Sequence, residues 1–304
     1  MTSVADVYTE LRPLLFSIAY RMLGSVADAE DVVQESFLRY HASTAQVDSP
    51  KAYLSAVTTR LCIDHLRSAR VRRESYVGEW LPEPLLTDDA DPAATVADAD
   101  SLSMSFLLVL ERLSPVERAV FLLHDVFGYP FAEVAAIVDR TPEHCRQIGV
   151  RARRHVTAHA PRFDTSREQR DELAQRFFAA FTDGDVDGLV TLLAADAAVR
   201  GDSGGHRPSW PNAIVGRDKI ARLLAGMARD MRALGVTVRR THVNGQPGAT
   251  LHGPDGGLIN VMVLDIAEGV VHTVRSVINP EKLGHLGPLA DREELLARRS
   301  AQRG

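Results

Sequence analysis

The chain has 304 residues, 45% of them hydrophobic and 25% charged, with a formal net charge of −5. That is the length of about two ordinary domains or one large one, with apolar material enough for a real core. No apolar run approaches the roughly 18 uncharged residues of a transmembrane helix, no early basic cluster marks a signal peptide, and two cysteines, Cys62 and Cys145, supply neither a disulfide framework nor a four-thiolate zinc site, so a cytoplasmic or equally reducing compartment is expected.

Val7, Leu11, Leu14, Leu15, Ile18 and Met22 recur at three-four spacing and predict a first helix, closed by Gly24 and Ser25. A second starts near Asp28. Glu30 and Asp31 stand in its first turn, where carboxylates suit the positive end of the helix dipole, and Val32, Val33, Ser36, Phe37 and Tyr40 form its buried stripe. After a polar loop, a third helix runs over about 51–70 with Tyr53, Leu54, Val57, Leu61 and Leu66 on its apolar face. Between Lys51 and Arg73 six basic residues (Lys51, Arg60, Arg67, Arg70, Arg72, Arg73) stand against one acid, Asp64.

The next stretch inverts the charge: residues 74–111 hold nine acids and no Lys or Arg. Pro82, Pro84 and Pro92 make 74–100 a linker, yet Trp80 and Leu81 are out of place in a plain spacer and predict that part of it docks. Helices resume at 101–113 and 114–124, the latter opened by Ser114-Pro115-x-Glu117. Residues 131–155 read as a helix-turn-helix, with Asp139-Arg140-Thr141 as the turn and Pro142 at the first position of the second helix. On a helical wheel Cys145, Ile148, Gly149, Ala152 and Val156 share one side. Glu143, Gln147, Val150 and Arg154 lie opposite, flanked by Arg146 and Arg151. A recognition helix needs that layout, because Gln and Arg read base edges while flanking arginines hold phosphates; an ordinary bundle helix would share it. From Pro142 to Arg170 seven arginines face three acids. Two basic blocks separated by an acidic one predict two surfaces for a polyanion, or simply solvated faces.

After Pro161 the character changes. Residues 167–182, 186–193 and 218–231 read as helices and 197–200, 236–243, 258–264 and 270–277 as strands, with Asn244-Gly245, Asp255-Gly256 and Glu268-Gly269 as turns. Helices first and a strand meander after predict an α+β domain with a curved sheet over helices.

DAEDVVQESFLRY (28–40), followed by AYLSAVTTRLCIDHLRSAR, resembles the second conserved region of sigma-70-type RNA polymerase sigma factors. LSPVERAVFLLHDVFGYPFAEVAAIVDRTPEHCRQIGVRARRHV (113–156) resembles their fourth region. Two regions and an acidic linker match the extracytoplasmic-function class; WLPEP (80–84) and Asn279-Pro280-Glu281-Lys282-Leu283 match its subgroup with a SnoaL-like extension. The resemblance implies a multidomain chain. Two domains are all-α, a region 2 helical bundle over 1–75 and a region 4 helix-turn-helix over 101–160, joined by an acidic linker over 76–100. An α+β, cone-shaped SnoaL-like (NTF2-like) domain follows over 165–304.

The resemblance also assigns roles. Asp28, Glu30, Asp31, Gln34 and Glu35 would dock on the clamp of the polymerase's largest subunit, as carboxylates on an exposed face suit a basic partner. Arg60, Arg67, Arg70, Arg72 and Arg73 would hold DNA at the −10 element, where Tyr53 is either a stacking aromatic or core. Arg146, Gln147, Arg151 and Arg154 would enter the −35 major groove. Trp80, Leu81 and Pro82 would meet a regulatory face made by Asp202, Gly204, Gly205, Asn279, Pro280, Lys282 and Leu283. In the glycine-rich motif Asp202-Ser203-Gly204-Gly205, Ser203 and His206 stand where the subgroup pattern has a glycine and a lysine.

SnoaL-like domains share their fold with cyclases and isomerases, so catalysis is weighed too. Asp202, Asp218 and Asp265 are available as bases, but no tyrosine follows Tyr129 to serve as oxyanion donor, and five scattered histidines lack the pairing of a metal site. The expected function is a promoter-specificity subunit without turnover, cofactor or metal, partnered by RNA polymerase core and promoter DNA and not by a membrane. An unidentified small ligand in the cone remains open. The alternatives are a polymerase-independent regulator with a ligand-sensing domain, which leaves the acidic helix and first basic block unexplained, and an enzyme with a DNA-binding appendage.

Overall fold

The computed structural model describes residues 4–43, 47–74, 76–87, 99–159, 165–206, 212–291, 294–295 and 297–298. The chain forms two compact units: residues 1–75 together with 89–160, and residues 76–88 together with 161–304. The linker segment that carries Trp80 therefore belongs with the C-terminal half of the chain, not with the helices beside it in sequence.

In the first unit α1 (Val4–Leu23), α2 (Val26–Ala42) and α3 (Pro50–Glu74) pack on one another. Leu15, Ile18, Tyr20, Met22 and Leu54 are wholly removed from water. The hydroxyl of Ser25 caps α2 by accepting the Asp28 N–H at 3.1 Å. Inside, the Ser36 and Thr58 hydroxyls meet at 2.9 Å and satisfy each other between α2 and α3. Two short helices follow, α4 (Met104–Leu110) and α5 (Pro115–Phe121), the second running into a π-helical turn at Leu122–Val126. Arg118, buried on α5, donates to the Met22 carbonyl at 2.5 Å and to Glu111 at 3.0 Å, which ties the end of α1 to this layer. The helix-turn-helix is α6 (Phe131–Val138) and α7 (Pro142–His159). Asp139 turns the chain in the left-handed conformation (φ 54°), and Thr141 caps α7 by accepting the His144 N–H at 3.2 Å. Gly149 lets the two helices close up, since a Cβ there would already touch the Phe131 ring at 3.4 Å.

In the second unit α8 (Arg167–Asp183), α9 (Val186–Leu192) and α10 (Arg217–Ala233) pack on a mixed six-stranded sheet. Its strands are β1 (Leu193–Asp202), β2 (Ile214–Val215), β3 (Thr237–Val243), β4 (Gln246–His252), β5 (Leu258–Ala267) and β6 (Val270–Val277). Their order is β2-β1-β6-β5-β4-β3, with β1 and β6 parallel and the other pairs antiparallel. Phe177, Phe178 and Phe181 of α8 and Leu224 of α10 meet Ala249, Leu251, Met262, Leu264 and Val274 of the sheet in one core. Bulges in the β1/β6, β4/β5 and β5/β6 ladders bend the strands around it.

Strand patterning overlooked the two-residue β2 and also β4, the latter because Pro247 and Gly248 read as turn residues. Pro247 sits at the second residue of the strand, where a single missing N–H is tolerable. Gly248 is required by closeness: a Cβ at this position would collide with the Met262 carbonyl of β5 and lie 3.0 Å from Val243 Cγ2.

At the start of α5, Ser114 and Glu117 form a reciprocal capping box, and the Ser114 hydroxyl first of all holds the Glu117 carboxyl below its usual pKa. Ser114→Ala is expected to cost about 1 kcal/mol in urea unfolding at neutral pH. Because the folded-state pKa is depressed, this contribution is complete above the unfolded carboxylate range. The difference between variant and parent therefore narrows as pH falls through the folded value.

Candidate nucleic-acid interface and linker-docking site

The acidic helix α2 exposes part of the stripe read from sequence. Asp31 and Gln34 face solvent, Glu30 pairs with Arg12 at 2.6 Å, Glu35 with Arg39 at 2.8 Å, and Asp28 lies 3.3 Å from the His65 ring. One residue on this face was missed: Leu38, 59% exposed, stands one turn beyond Gln34 and Glu35.

On α3, Arg67 pairs with Asp64 at 3.2 Å in an exposed contact. Arg60 is engaged otherwise. Its guanidinium donates to the carbonyls of Ile137 (2.9 Å) and Ala136 (2.7 Å) in the last turn of α6, a favourable place for a cation at the negative end of a helix. Close by, the hydroxyls of Ser55 and Tyr129 meet at 2.8 Å, so α3 and the helix-turn-helix are fastened together. Burial pushes the Tyr129 phenol pKa up, which keeps that hydroxyl protonated and able to donate. Tyr53 is half-buried, its ring centre 5.9 Å from that of Tyr40. The side chains of Arg70, Arg72 and Arg73 lie outside the described residues.

The inner face of α7 is buried at Cys145, Ile148, Gly149, Ala152 and Val156. Its outer face shows Gln147, Val150 and Arg154 to solvent. Arg146 reaches Glu143 at 3.3 Å and Arg151 stands 4.0 Å from Glu117, both exposed contacts at the margins. Arg153, which the sequence reading left out of the −35 set, binds Asp125 at 2.7 Å and so has a structural task, holding α7 to the π turn.

In the second unit three sequence motifs converge on one carboxylate. Asp202 ends β1 with its side chain wholly buried. Its Oδ1 accepts the Tyr76 hydroxyl at 2.5 Å and the Gly204 N–H at 3.1 Å; its Oδ2 accepts the Leu81 N–H at 2.8 Å and the Lys282 ammonium at 2.7 Å. Those four bonds fill the acceptor sites of a carboxylate. The Lys282 Nζ also donates to the Leu81 carbonyl at 2.5 Å and lies 4.3 Å from the Trp80 ring centre and 4.9 Å from that of Tyr76. Asn279 donates from its backbone to the Asp202 carbonyl, gives Nδ2–H to Tyr76 at 2.9 Å, and caps the turn Pro280–Lys282 by accepting the Glu281 N–H. Gly204 (φ 59°) admits no side chain, because a Cβ would lie 2.5 Å from Asn279. Gly205 (φ 83°) would place a Cβ 3.5 Å from Val77, Pro82 is buried, and Leu283 is 1% exposed. Ser203 is buried and exposed His206 donates its N–H to the Ser203 carbonyl, so these two departures from the subgroup pattern close the loop locally.

The linker then runs on along the domain. Arg200 pairs with Glu79 at 2.7 Å, the Pro84 carbonyl lies 2.8 Å from His285 Nε2, and Leu85 donates to Asn244 Oδ1 at 3.1 Å. Leu86 forms a bridge with Val243 at the edge of β3, and the Thr87 N–H donates to the His242 carbonyl at 3.0 Å. Sequence reasoning found Trp80, Leu81 and Pro82 but not Tyr76, Glu79, Leu85 or Thr87; an aromatic inside the acidic run was the available signal for Tyr76. Burial, and next the bond to Asp202, push the Tyr76 phenol pKa well up, so it serves as a donor throughout the physiological range.

Among the described residues the remaining acids of the C-terminal domain do not gather into a second centre. Asp218 is exposed in the first turn of α10, and buried Asp265 pairs with Arg275 at 2.7 Å. Among the described residues no group of His, Cys, Asp and Glu is placed to hold a metal ion, and no helix is long and apolar enough to cross a membrane.

Three family models match the chain: Sigma-70 region 2 over residues 7–72, Sigma-70 region 4 over 103–156, and a SnoaL-like domain over 174–268. With a helix-turn-helix and a SnoaL-like α+β domain in place, these define a promoter-recognition subunit of RNA polymerase that acts in transcription initiation. The chain is 39% identical over 285 residues to the ECF RNA polymerase sigma factor SigJ of Mycobacterium tuberculosis, covering 90% of this chain and 91% of that protein. It is 31% identical over 286 residues to the probable ECF RNA polymerase sigma factor SigI of the same organism, covering 93% and 96%. The crystal structure of SigJ matches with a TM-score of 0.74 at 34% identity, covering 95% of this chain and 100% of that one. The chain belongs to the extracytoplasmic-function (ECF) sigma factors of the sigma-70 family.

Asp202→Asn would leave the Lys282 ammonium buried without its counter-charge. The loss is expected to reach about 3 kcal/mol or more, read by thermal unfolding of the full chain. Retention of the parental melting temperature would show that the carboxylate does not hold the linker.

Proposed function

We propose that the second unit regulates promoter recognition in cis by gripping the linker between the two DNA-reading regions, over domains bounded at 1–75, 76–100, 101–160 and 165–304. In this reading α2 docks through Asp28, Glu30, Asp31, Gln34 and Glu35 on the clamp of the polymerase's largest subunit. Arg60, Arg67, Arg70, Arg72 and Arg73 engage the −10 element, and Arg146, Gln147, Arg151 and Arg154 the −35 element. The observation that carries the regulatory part is the saturated, buried carboxylate of Asp202, bound at once to Tyr76, Leu81 and Lys282.

The free protein is a closed state in this account. Elements centred near −10 and −35 are about 25 base pairs apart, or roughly 85 Å of duplex at about 3.4 Å per step. Arg60 bound to the end of α6, and Ser55 bound to Tyr129, support a resting form in which both elements are not read together. With 76–87 gripped on the C-terminal domain, that segment does not contribute its length to the span between the two regions. Releasing the segment lengthens the tether and frees α3 to part from the helix-turn-helix.

No turnover belongs to this function. The helix-facing side of the sheet is filled by Phe177, Phe178, Phe181, Met262 and Leu264, and the carboxylates of Asp202 and Asp265 pair with Lys282 and Arg275. The protein works in the cytoplasm, where RNA polymerase is.

Run-off transcription with purified core polymerase tests both levels. Full-length protein is expected to direct promoter-specific transcripts, and Lys282→Met and Trp80→Ala to raise output severalfold with the start site unchanged. Equal output from parent and variants would remove the cis-regulatory role. If core polymerase were neither bound nor redirected, a polymerase-independent regulator would replace the whole assignment.

A further inference from the structure

The outer face of α7 carries a residue that the fold does not account for. Val150 is 45% exposed in the middle of a helix whose apolar face is already complete without it. Among the described residues it is the one exposed large hydrophobic on α7. A β-branched side chain in that place lowers helix propensity relative to Ala, Gln or Lys and leaves apolar surface in water, so local structure gains nothing from it.

Its neighbours give it a context. Gln147 lies one turn before Val150 and Arg154 one turn after, on the same line, and both are exposed. Neither side chain has a hydrogen bond or ion pair to another described residue, whereas Arg146 and Arg151 at the margins are paired with Glu143 and Glu117. The unpaired line thus offers an amide, an isopropyl group and a guanidinium in succession. Major-groove base edges offer the matching series: adenine N6 and N7 for the amide, guanine O6 and N7 for the guanidinium, and one apolar feature, the thymine 5-methyl. Val150 stands about 4.5 Å along the helix from Gln147, close to the roughly 3.4 Å step between base pairs.

The geometry points to Val150 as a specificity residue that packs against the 5-methyl group of a thymine in the −35 element, at or next to the base pair read by Gln147. The assignment rests on α7 being the helix that enters the −35 groove. It concerns discrimination and not anchoring, so Val150 selects among sequences while the arginines supply salt-dependent affinity.

The test uses holoenzyme assembled from core polymerase and the full chain. A −35 sequence is first selected from duplexes randomised at that element, and each of its thymines is then replaced singly by deoxyuridine, which deletes the methyl and keeps the pairing. With the parent protein one replacement is expected to weaken promoter binding about fourfold, the worth of one buried methyl group. Val150→Ala, at an exposed position where alanine is the better helix former, is expected to fold and to bind the thymine and deoxyuridine promoters alike. Val150→Ile is expected to keep the discrimination. A selected element without a required thymine, deoxyuridine effects absent at every position, or a penalty of equal size in Val150→Ala would each overturn the proposal while leaving the helix assignment standing. Loss of core polymerase binding by Val150→Ala with no change in sequence preference would also overturn it, in favour of a protein contact. Binding that ignores the −35 sequence altogether would overturn the assignment of α7 itself.

Discussion

A carboxylate removed from water is costly unless donors occupy its lone pairs, and that constraint organises the end of β1 in the C-terminal unit. Asp202 meets it with donors from three separate stretches of chain: Tyr76 and Leu81 from the linker, Gly204 from the loop after its own strand, and Lys282 from the turn after β6. None of these stretches could be moved without orphaning the others. The adjacent parallel strands β1 and β6 deliver the Asp202 loop and the Asn279 turn to the same end of the sheet. Gly204 is fixed by the nearness of Asn279, and Lys282 is held by two aromatic rings as well as by charge. The path of the linker over residues 76–87 follows from that arrangement.

The contrast with the arginines proposed to meet DNA is one of burial. Arg67 with Asp64 and Arg146 with Glu143 are exposed pairs within single helices. Such pairs are screened, contribute little to stability, and exchange readily for phosphate oxygens. The Asp202–Lys282 pair is shielded from both salt and competing anions. In the proposed function a promoter can therefore strip the arginines of their partners at small cost, while the grip on the linker yields only to something that reorganises the turn or the strap itself. Arg60 falls between the two cases: its bonds to the last carbonyls of α6 are neutral-acceptor bonds that a phosphate can outcompete, provided α3 and the helix-turn-helix come apart.

Most helices could be read from the sequence because their cores are built on three-four spacing, and the N-caps Ser114 and Thr141 mark where two of them start; Ser25, read only as the close of α1, caps α2 two residues earlier than expected. β4 could not, since the glycine that lets it approach β5 and the proline beside it carry the signature of a turn. At the linker, composition revealed that Trp80 and Leu81 had no reason to stand in an acidic spacer, and the motifs around Asp202 and Lys282 suggested where they go. The hydrogen bonds of Tyr76, Leu85 and Thr87 to that domain were hidden, because they depend on a backbone course that no local pattern encodes. The same holds for Arg60: its charge marked it as a phosphate ligand, and only the tertiary closure of α3 on α6 shows the two carbonyls it binds.

The central claim, that the linker is held by the C-terminal domain through Asp202, is tested most directly by amide hydrogen exchange of the free full-length protein. Among the described residues, the linker amides with partners in that domain include Leu81 on Asp202, Leu85 on Asn244, and Thr87 on the His242 carbonyl. The account expects Leu81 to exchange as slowly as amides of the core strand β5, with Leu85 and Thr87 protected to a lesser degree toward the edge of the sheet. Exchange of Leu81 at the rate of an open polar loop would contradict it.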